Sequence, residues 1–332
     1  MICKSMNVTL YKSNALKKIP AGASTLFEGI FVLVNKTLKT AKNGNPFVRL
    51  ELGDRFGRFS CNCFNDSPNY AVLNELNEGV IVRISGESDH YQDRFSPKLR
   101  SIRPITHVEA ENAGVLDDLF ETPPESEESL WADLQAGITA IAHAKLQATV
   151  AAAIEENEQA FRSAAAAISM HHAYRHGLLE HTVHMLRAAQ ALLPIYPQVD
   201  ADLAIAGIIL HDIGKIEEYT NAPGVGKTRA GQLQGHVVLG YRMVRKAALT
   251  QRLDADLTER LEHIILSHQG EISWGAAVMA ATPEAVFVSM IDNLDAKMGM
   301  VQRTLRNATE GEVFSDFMPG LQAQLLLDPP QK

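Results

Sequence analysis

The stretch LAIAGIILHDIGKIEEY, residues 203–219, decides how the chain is read. Its first eight residues, 203–210, are uninterrupted apolar side chains enclosed by Asp202 and His211. A bilayer-spanning helix needs about 20, so the run reads as a buried helix within a helical segment over 199–218. It ends in His211 and Asp212, two adjacent side chains of the types that bind divalent transition metals. Such a corner can hold one ion and offer a carboxylate oxygen to a second. Lys215 follows Asp212 by three residues, on the same helical face, and can turn its cation toward an anionic substrate. Taken alone, these residues also describe a hydrogen-bonded His-Asp pair at a helix turn beside a surface lysine.

The other histidines decide between the two. Of 12 in the chain, nine fall between 171 and 268: His171, His172, His176, His181, His184, His211, His236, His263 and His268. A lone histidine on an apolar face is more often core than ligand; the ordered set points to a metal. Helical spacing runs over 129–160, 178–192, 199–218, 233–248, 254–267 and 283–305, with no convincing strand. Residues 129–332 therefore read as an all-α domain. Before them, residues 108–128 hold eight acidic and no basic residues, with Pro123-Pro124 among them, and read as an acidic linker.

Residues 1–107 differ in kind. Short β-branched and aromatic runs at 26–34, 46–52, 58–64, 79–86 and 98–103 alternate with Gly- and Asn-rich turns, and a short helix fits 70–76. Five strands with a helix between the third and fourth is the order of an OB-fold barrel. The run LFEGIFVLVNKTLKTAKNGNPFVRLELGD also resembles the opening strands of nucleic-acid-binding OB modules. The net charge of −8 hides an asymmetry: residues 1–107 carry 15 Lys+Arg against 9 Asp+Glu, a net of +6, and the rest a net of −14. A basic front on an acidic body suits a polyanion partner. Phe47, Phe59, Phe64, Tyr91 and Phe95 are candidates for stacking on bases, about half of them expected in the barrel core.

With 332 residues, 46% hydrophobic and 21% charged, the chain has the composition of about two globular domains. Three cysteines are too few for a disulfide scaffold, and the first residues lack an apolar signal core. The expectation is a cytoplasmic protein with no membrane segment. Cys61-Asn62-Cys63 has no second ligand pair and is not read as a zinc site. Residues 223–228 (PGVGKT) lack the first glycine of a phosphate loop and follow a helix; they read as a loop near the site.

The ordered motifs carry a resemblance. His181, then His211-Asp212, then Asp292 is similar to the signature of the HD-domain metal-dependent phosphohydrolases. HHAYRHGLLEHTVHMLRAA, AGIILHDIGKIEEY, GQLQGHVVLGYRMV, LEHIILSHQG and VFVSMIDNLDAKMG together resemble the YhaM family of bacterial 3′→5′ exoribonucleases. That family joins an N-terminal OB domain to a C-terminal HD domain, and the resemblance covers about residues 20–305.

The resemblance implies His181, His211, Asp212 and Asp292 as metal ligands, His236 and His268 as ligands to a second ion, and Lys215 and Asp212 as catalytic groups. Two divalent ions are expected, Mn²⁺ ahead of Co²⁺, Fe²⁺, Ni²⁺ or Mg²⁺. Asp295 shares a helical face with Asp292 and competes with it; Asp292 is preferred. His171, His172, Phe64 and Tyr91 are candidates for substrate contact, while His184 and His263 read as packing or as supports behind the ligands. One departure stands out: the family's paired glycines before LLEH are His176-Gly177 here, a change expected to touch the substrate pocket and not the ligands.

The expected activity is hydrolysis of single-stranded RNA, with single-stranded DNA as an open second substrate. An HD phosphohydrolase of small nucleotides and a nucleic-acid-binding factor with a silent site are the alternatives. The basic front half weighs against the first alternative and the full ligand set against the second. The sequence is compatible with a homo-oligomer.

Overall fold

The computed structural model describes residues 10–41, 44–91, 94–119, 122–167, 174–220, 226–308 and 313–328. The chain divides into two compact units, one of residues 1–121 and one of residues 122–221 and 225–332 apart from the loop between them.

The first unit contains, in chain order, α1 (Ser13–Lys17), β1 (Leu26–Thr40), β2 (Pro46–Asp54), β3 (Gly57–Phe64), α2 (Asn69–Glu75), β4 (Ile81–Glu87), β5 (His90–Tyr91), β6 (Arg94–Phe95) and β7 (Lys98–Pro104). The main sheet is antiparallel in the order β3-β2-β1-β4-β7. β1 pairs with β4 over 26–32 and with β2 over 32–40, and the β2 ladder shifts register between Leu33 and Asn35. A bulge there bends the strand, so the sheet curls around one core. Phe31, Leu33, Leu50, Leu52, Phe59, Ile84, Ile102 and, from α2, Leu73 fill it. With α2 between the third and fourth strands of the sheet, this is the OB-fold order. Among the described residues β3 and β7 share no ladder, which leaves the barrel open at that seam, as OB-folds often are.

β3 alternates strictly: Phe59, Cys61 and Cys63 face inward, Asn62 and Phe64 outward. Burial pushes the Cys61 thiol up to about 12, so it packs as a neutral side chain rather than a metal ligand.

The acidic segment 108–128 does not form an open linker along its length. Thr106 and Glu109 make a reciprocal capping box that starts α3 (His107–Asn112), and α4 (Leu116–Leu119) follows. Ala110 and Leu119 pack with Ile30, Val32, Ile81 and Ile105 on the face of the sheet away from the main core. Burying those apolar groups holds the segment on the sheet, while Glu111 between them stays exposed. This segment brings five acidic residues to the unit, so residues 1–121 carry 15 Lys+Arg against 14 Asp+Glu. The unit is near neutral, and its basic groups act locally rather than through net charge.

The second unit is helical: α5 (Glu127–Ala140), α6 (Ala144–Glu156), α7 (Glu158–Ser163), α8 (Gly177–Leu192), α9 (Ala201–Leu210), α10 (Lys215–Glu218), α11 (Arg229–Gln251), α12 (Ala255–Ser267) and α13 (Pro283–Asn307). α9 lies at its centre against α5, α6, α8, α12 and α13. Residues 203–210 are all buried, which is why that helix is apolar on every side. The segment expected as one helix over 129–160 breaks at 141–143, where Asp202 accepts from the backbone N–H groups of Ala142 and His143 and the His143 ring caps α6. No described helix is long and apolar enough to cross a membrane.

Candidate metal centre

The helix expected over 199–218 is interrupted at residues 211–214, and that interruption makes the site. His211 and Asp212 leave the end of α9 in a turn, and Gly214 lets the turn press against α11. A Cβ at Gly214 would lie 2.0 Å from the His236 carbonyl oxygen and 2.4 Å from the Gly240 nitrogen. α11 is itself kinked at Gly235, with φ of +70°, a conformation natural to glycine, and His236 follows directly. α8 supplies His181, the end of α12 His268, and α13 Asp292 and Asp295.

These elements converge on one carboxylate. Asp212 Oδ2 lies 3.3 Å from His211 Nε2 and 3.8 Å from His181 Nε2. Its Oδ1 lies 3.5 Å from His236 Nε2 and 3.4 Å from His268 Nε2. His181 Nε2 also lies 3.2 Å from Asp292 Oδ1 and 3.2 Å from His211 Nε2. Two ligand groups share Asp212: His181, His211 and Asp212, and Asp212, His236 and His268.

The opposite ring nitrogens explain why every Nε2 faces inward. Nδ1 of His211 meets the Ile208 carbonyl and Nδ1 of His268 the Ile265 carbonyl, each at 2.7 Å. Nδ1 of His236 meets Glu218 Oε2 and Nδ1 of His181 meets Asp295 Oδ2, again each at 2.7 Å. Carbonyls and carboxylates accept only, so they fix the proton on Nδ1 and, in a neutral ring, leave the Nε2 lone pair for a cation.

The donors fit a divalent cation. Asp212 Oδ1 is buried without a hydrogen-bond partner, an arrangement that costs stability unless a cation completes it. Burial alone would raise the Asp212 carboxyl, but Lys215 and the imidazoles hold it well below the usual carboxylate range. Burial likewise opposes Glu218, yet His236 and Lys227 bring it down to about 2. The donor set is therefore anionic carboxylates and imidazoles, the set for divalent transition metals.

The sequence candidates sort as follows. His181, His211, Asp212, His236, His268 and Asp292 come together. Lys215 is buried, with Nζ 2.5 Å from Asp212 Oδ2. Asp295 does not compete with Asp292: the two take opposite nitrogens of His181, and Asp295 Oδ1 also lies 3.2 Å from His184 Nδ1. His184 thus stands behind His181 through Asp295, in the supporting layer where the sequence reading allowed it. His263 Nε2 accepts from the Ala281 backbone N–H, a structural role. His171, His172, residues 223–225 and the side chain of Tyr91 lie outside the described residues. Glu218 and Gln269 went unnoticed in the sequence. Glu218 looks like an ordinary surface acid in KIEEY; its signal was a position three residues past Lys215, on the same turn of helix.

Phe59 is core, and Phe95 packs against it with ring centroids 5.6 Å apart. Phe64 is 47% exposed and stands beside Phe47, centroids 5.4 Å apart and planes 33° apart.

The HD-domain family matches residues 178–297, the span from α8 to α13 that holds every candidate ligand named above. The 3′-5′ exoribonuclease YhaM of Bacillus subtilis is 34% identical over 287 residues, 85% of this chain and 88% of that protein. The YhaM protein of Shouchella clausii is 32% identical over 294 residues, 89% and 90% of the two chains. Among solved structures, a chain from a replication protein A heterotrimer bound to ssDNA covers 34% of this chain and 83% of its own at 21% identity. Its TM-score of 0.23 leaves the strand order itself as the ground for the OB assignment. With identity near one third along most of both chains, and the HD ligand order intact from His181 to Asp292, this chain belongs to the YhaM family of 3′-5′ exoribonucleases.

Proposed function

We propose that the chain is a divalent-metal-dependent 3′→5′ exoribonuclease that hydrolyses single-stranded RNA to nucleoside monophosphates, with the work divided between its two units. The observation that carries this is Asp212, whose two oxygens face separate imidazole pairs. Such a carboxylate can bridge two ions. His181, His211 and Asp292 would complete one site and His236 and His268 the other, with Mn²⁺ the first metal to test. Ions held there would supply an activated water and neutralise charge on the scissile phosphate.

The protein's own groups do the rest. Asp295, Glu218 and the Ile208 and Ile265 carbonyls hold the four imidazoles in one tautomer and orientation. Burial would lower the Lys215 ammonium, but Asp212 beside it keeps it above its usual value. Lys215 is thus a fixed cation at the edge of the site, suited to the phosphate whose charge builds during cleavage. His171 and His172 are assigned to phosphate contact.

The OB unit is assigned to hold the strand. Lys39, Phe47 and Phe64 are cross-strand neighbours, and Thr37, Arg49 and Asn62 form the next row on the same face. A tilted aromatic pair flanked by two exposed cations gives a strand both a stacking surface and a phosphate partner. Tyr91 is the further stacking candidate. The buried, unpaired thiols of Cys61 and Cys63 suit the reducing cytoplasm. Single-stranded DNA as a substrate and a homo-oligomeric state belong to the same proposal.

The test is to incubate the protein and Mn²⁺ with 5′-labelled single-stranded RNA. A ladder shortening from the 3′ end, lost in Asp212→Ala, is expected. Intact RNA beside hydrolysed mononucleotides would overturn the exoribonuclease in favour of a small-nucleotide phosphohydrolase.

A further inference from the structure

Residues 122–332 hold 16 Lys+Arg against 25 Asp+Glu, so net charge gives the helical unit no hold on a strand of phosphates. The loop after α12 offers it another kind of contact. α12 delivers His268, and Gln269 comes next, its carboxamide nitrogen 3.0 Å from His236 Nε2. Gly270, at φ of +78°, turns the chain past α13: a Cβ there would lie 3.9 Å from the Ser289 Cβ, one helical turn before Asp292. A single 3₁₀ turn over Ile272–Trp274 follows. The backbone N–H groups of Trp274 and Gly275 donate to the Glu271 and Ile272 carbonyls. Ala276 is buried, and the Ala277 N–H donates to the Leu266 carbonyl of α12 at 2.9 Å. The loop thus starts at the edge of the candidate metal centre and is tied at both ends to the helix that carries His268.

Its tip is apolar and open to solvent. Ile272 and Trp274 are each 56% exposed, and Val278 and Met279 are exposed after them. The chain has two tryptophans. Trp131 packs on the helical core with the Arg162 guanidinium 4.9 Å from its ring centroid. Trp274 lies outside that core. Four large apolar side chains exposed on one short, hydrogen-bonded loop mark a place for a ligand, and an indole is the widest flat surface among them.

We propose that Trp274 is a base-stacking subsite of the helical unit, taking an unpaired nucleobase among the last few of the strand being trimmed. The inference rests on the exoribonuclease reading above. Trp274 is six residues past His268, which limits the separation of the two backbones to about 20 Å. Stacking needs no positive charge, which this unit lacks, and every base has a face to offer, so the contact is tolerant of sequence. Glu271, exposed on the same loop, repels a phosphate and not a base face, which favours the base as the group that meets Trp274.

The test reads the indole directly. Full-length protein with Mn²⁺ is mixed with tetra-adenylate in a stopped-flow instrument while tryptophan emission is followed. Emission should fall on binding and return as the strand is trimmed. Trp274→Phe removes the reporter and keeps a stacking ring, so the signal should vanish while KM stays near the wild-type value. Trp274→Ala should raise KM about tenfold with kcat within about twofold. On a tetranucleotide whose bases are replaced by abasic ribose, wild type and Trp274→Ala should have the same KM. An unchanged KM for tetra-adenylate in Trp274→Ala overturns the subsite. So does an equal rise on the abasic strand, which would make the contact one with the backbone, or emission that stays still while the wild-type protein trims. A Trp274→Ala protein that sediments as a smaller species than wild type overturns it too, by giving the patch to a second copy of the chain. Tetra-adenylate left intact beside hydrolysed mononucleotides ends the exoribonuclease reading itself, a failure distinct from that of Trp274.

Discussion

The two units bury different things. Among the described residues, the buried polar side chains of the OB unit are Ser13, Asn69 and Ser88, all neutral. The helical unit buries nine ionisable ones: Glu180, His181, His211, Asp212, Lys215, Glu218, Glu262, His268 and Glu284. Ionisable groups are costly to bury unless they are paired or meet a cation, and a domain that buries this many has spent stability on chemistry. The OB unit has a conventional apolar interior and carries its candidate contacts on its outer face. What separates the two is where polar groups sit relative to water: outside in the unit assigned to the strand, inside in the unit that carries the candidate metal centre.

The largest expected effect comes from the one carboxylate that every inward imidazole faces. Asp212→Asn keeps the shape and removes the charge. Hydrolysis should fall to background and bound metal should drop on elemental analysis, while RNA affinity stays near the wild-type value. A variant that loses RNA binding along with its metal would break the separation of holding from cutting.

Removing residues 1–121 tests the other side. The cut falls after α4 because α3 and α4 pack on the sheet with Ile30 and Val32. The remainder keeps its own core and every ligand, but holds 16 Lys+Arg against 25 Asp+Glu, so it should repel a polyanion. Cleavage of a dinucleotide should persist. Affinity for long RNA should fall, and the slope of log K against log salt should flatten by about 0.7 for each lost phosphate contact. An unchanged salt slope would sink the OB unit as the strand holder.

Much of this was legible in residues. The residues that converge at Asp212 could be picked out because their spacing follows the helices, and the strand order because β-branched runs alternate with Gly and Asn turns. Two things were not. The acids of 108–121 looked solvated, although Thr106 and Glu109 already spelled a capping box and Ala110, Val115 and Leu119 supplied an apolar side. The partners of the ligands were invisible because they depend on tertiary approach: Asp295 reaches His181 across 114 positions, and no local pattern encodes that. The spacing puts Lys215 and Asp212 on one helical face, but only the packing around them shows that both are buried and that the lysine turns to the aspartate.

Those partners give the next effect in size. Glu218→Gln and Asp295→Asn each weaken the hold on one imidazole, and such outer hydrogen bonds are typically worth about 10–100-fold in metal affinity. The two variants should differ in which ion they lose, Glu218→Gln the one at His236 and Asp295→Asn the one at His181. Equal loss at both sites would mean that the centre responds as one body.

Acidity should separate the sites further. Burial pulls the His181 imidazole down, but hydrogen bonds to Asp292 and Asp295 outweigh it and raise it to about 10 in the metal-free protein. Asp292, where burial works the other way, is held down at about 2 by His181. A raised imidazole adds stability that is complete below about 6.5 and lost as pH rises through about 10; a depressed carboxyl adds stability lost as pH falls through about 2. The pair should therefore support the metal-free fold from about pH 4 to 6.5. An ion at His181 must expel that proton, so its affinity should rise with pH up to about 10. Calorimetry at pH 8 in buffers of different ionisation enthalpy should find about one proton released per first ion. None released would remove the charged His181.

The smallest effect extends the comparison to the backbone. The non-glycine residues with left-handed φ among the described residues are His176, Arg252 and Gln322, all in the helical unit. His176, at φ of +67°, stands immediately before α8, where the family's first glycine would be. A side chain there costs about 1–2 kcal/mol. Its return is one hydrogen bond, between Nδ1 and the Arg162 carbonyl at 2.6 Å, which ties the end of α7 to the start of α8. The departure from glycine is thus a structural exchange one turn before His181. His176→Ala keeps the strain and loses the bond, and should cost about 1 kcal/mol. His176→Gly loses the bond and sheds the strain, and should be more stable than His176→Ala by about 1 kcal/mol. Metal content should not change in either, since the ring touches no ligand that the structure places at Asp212. Urea denaturation of the three proteins decides it: an alanine variant as stable as the glycine variant would mean that the left-handed backbone at 176 carries no strain.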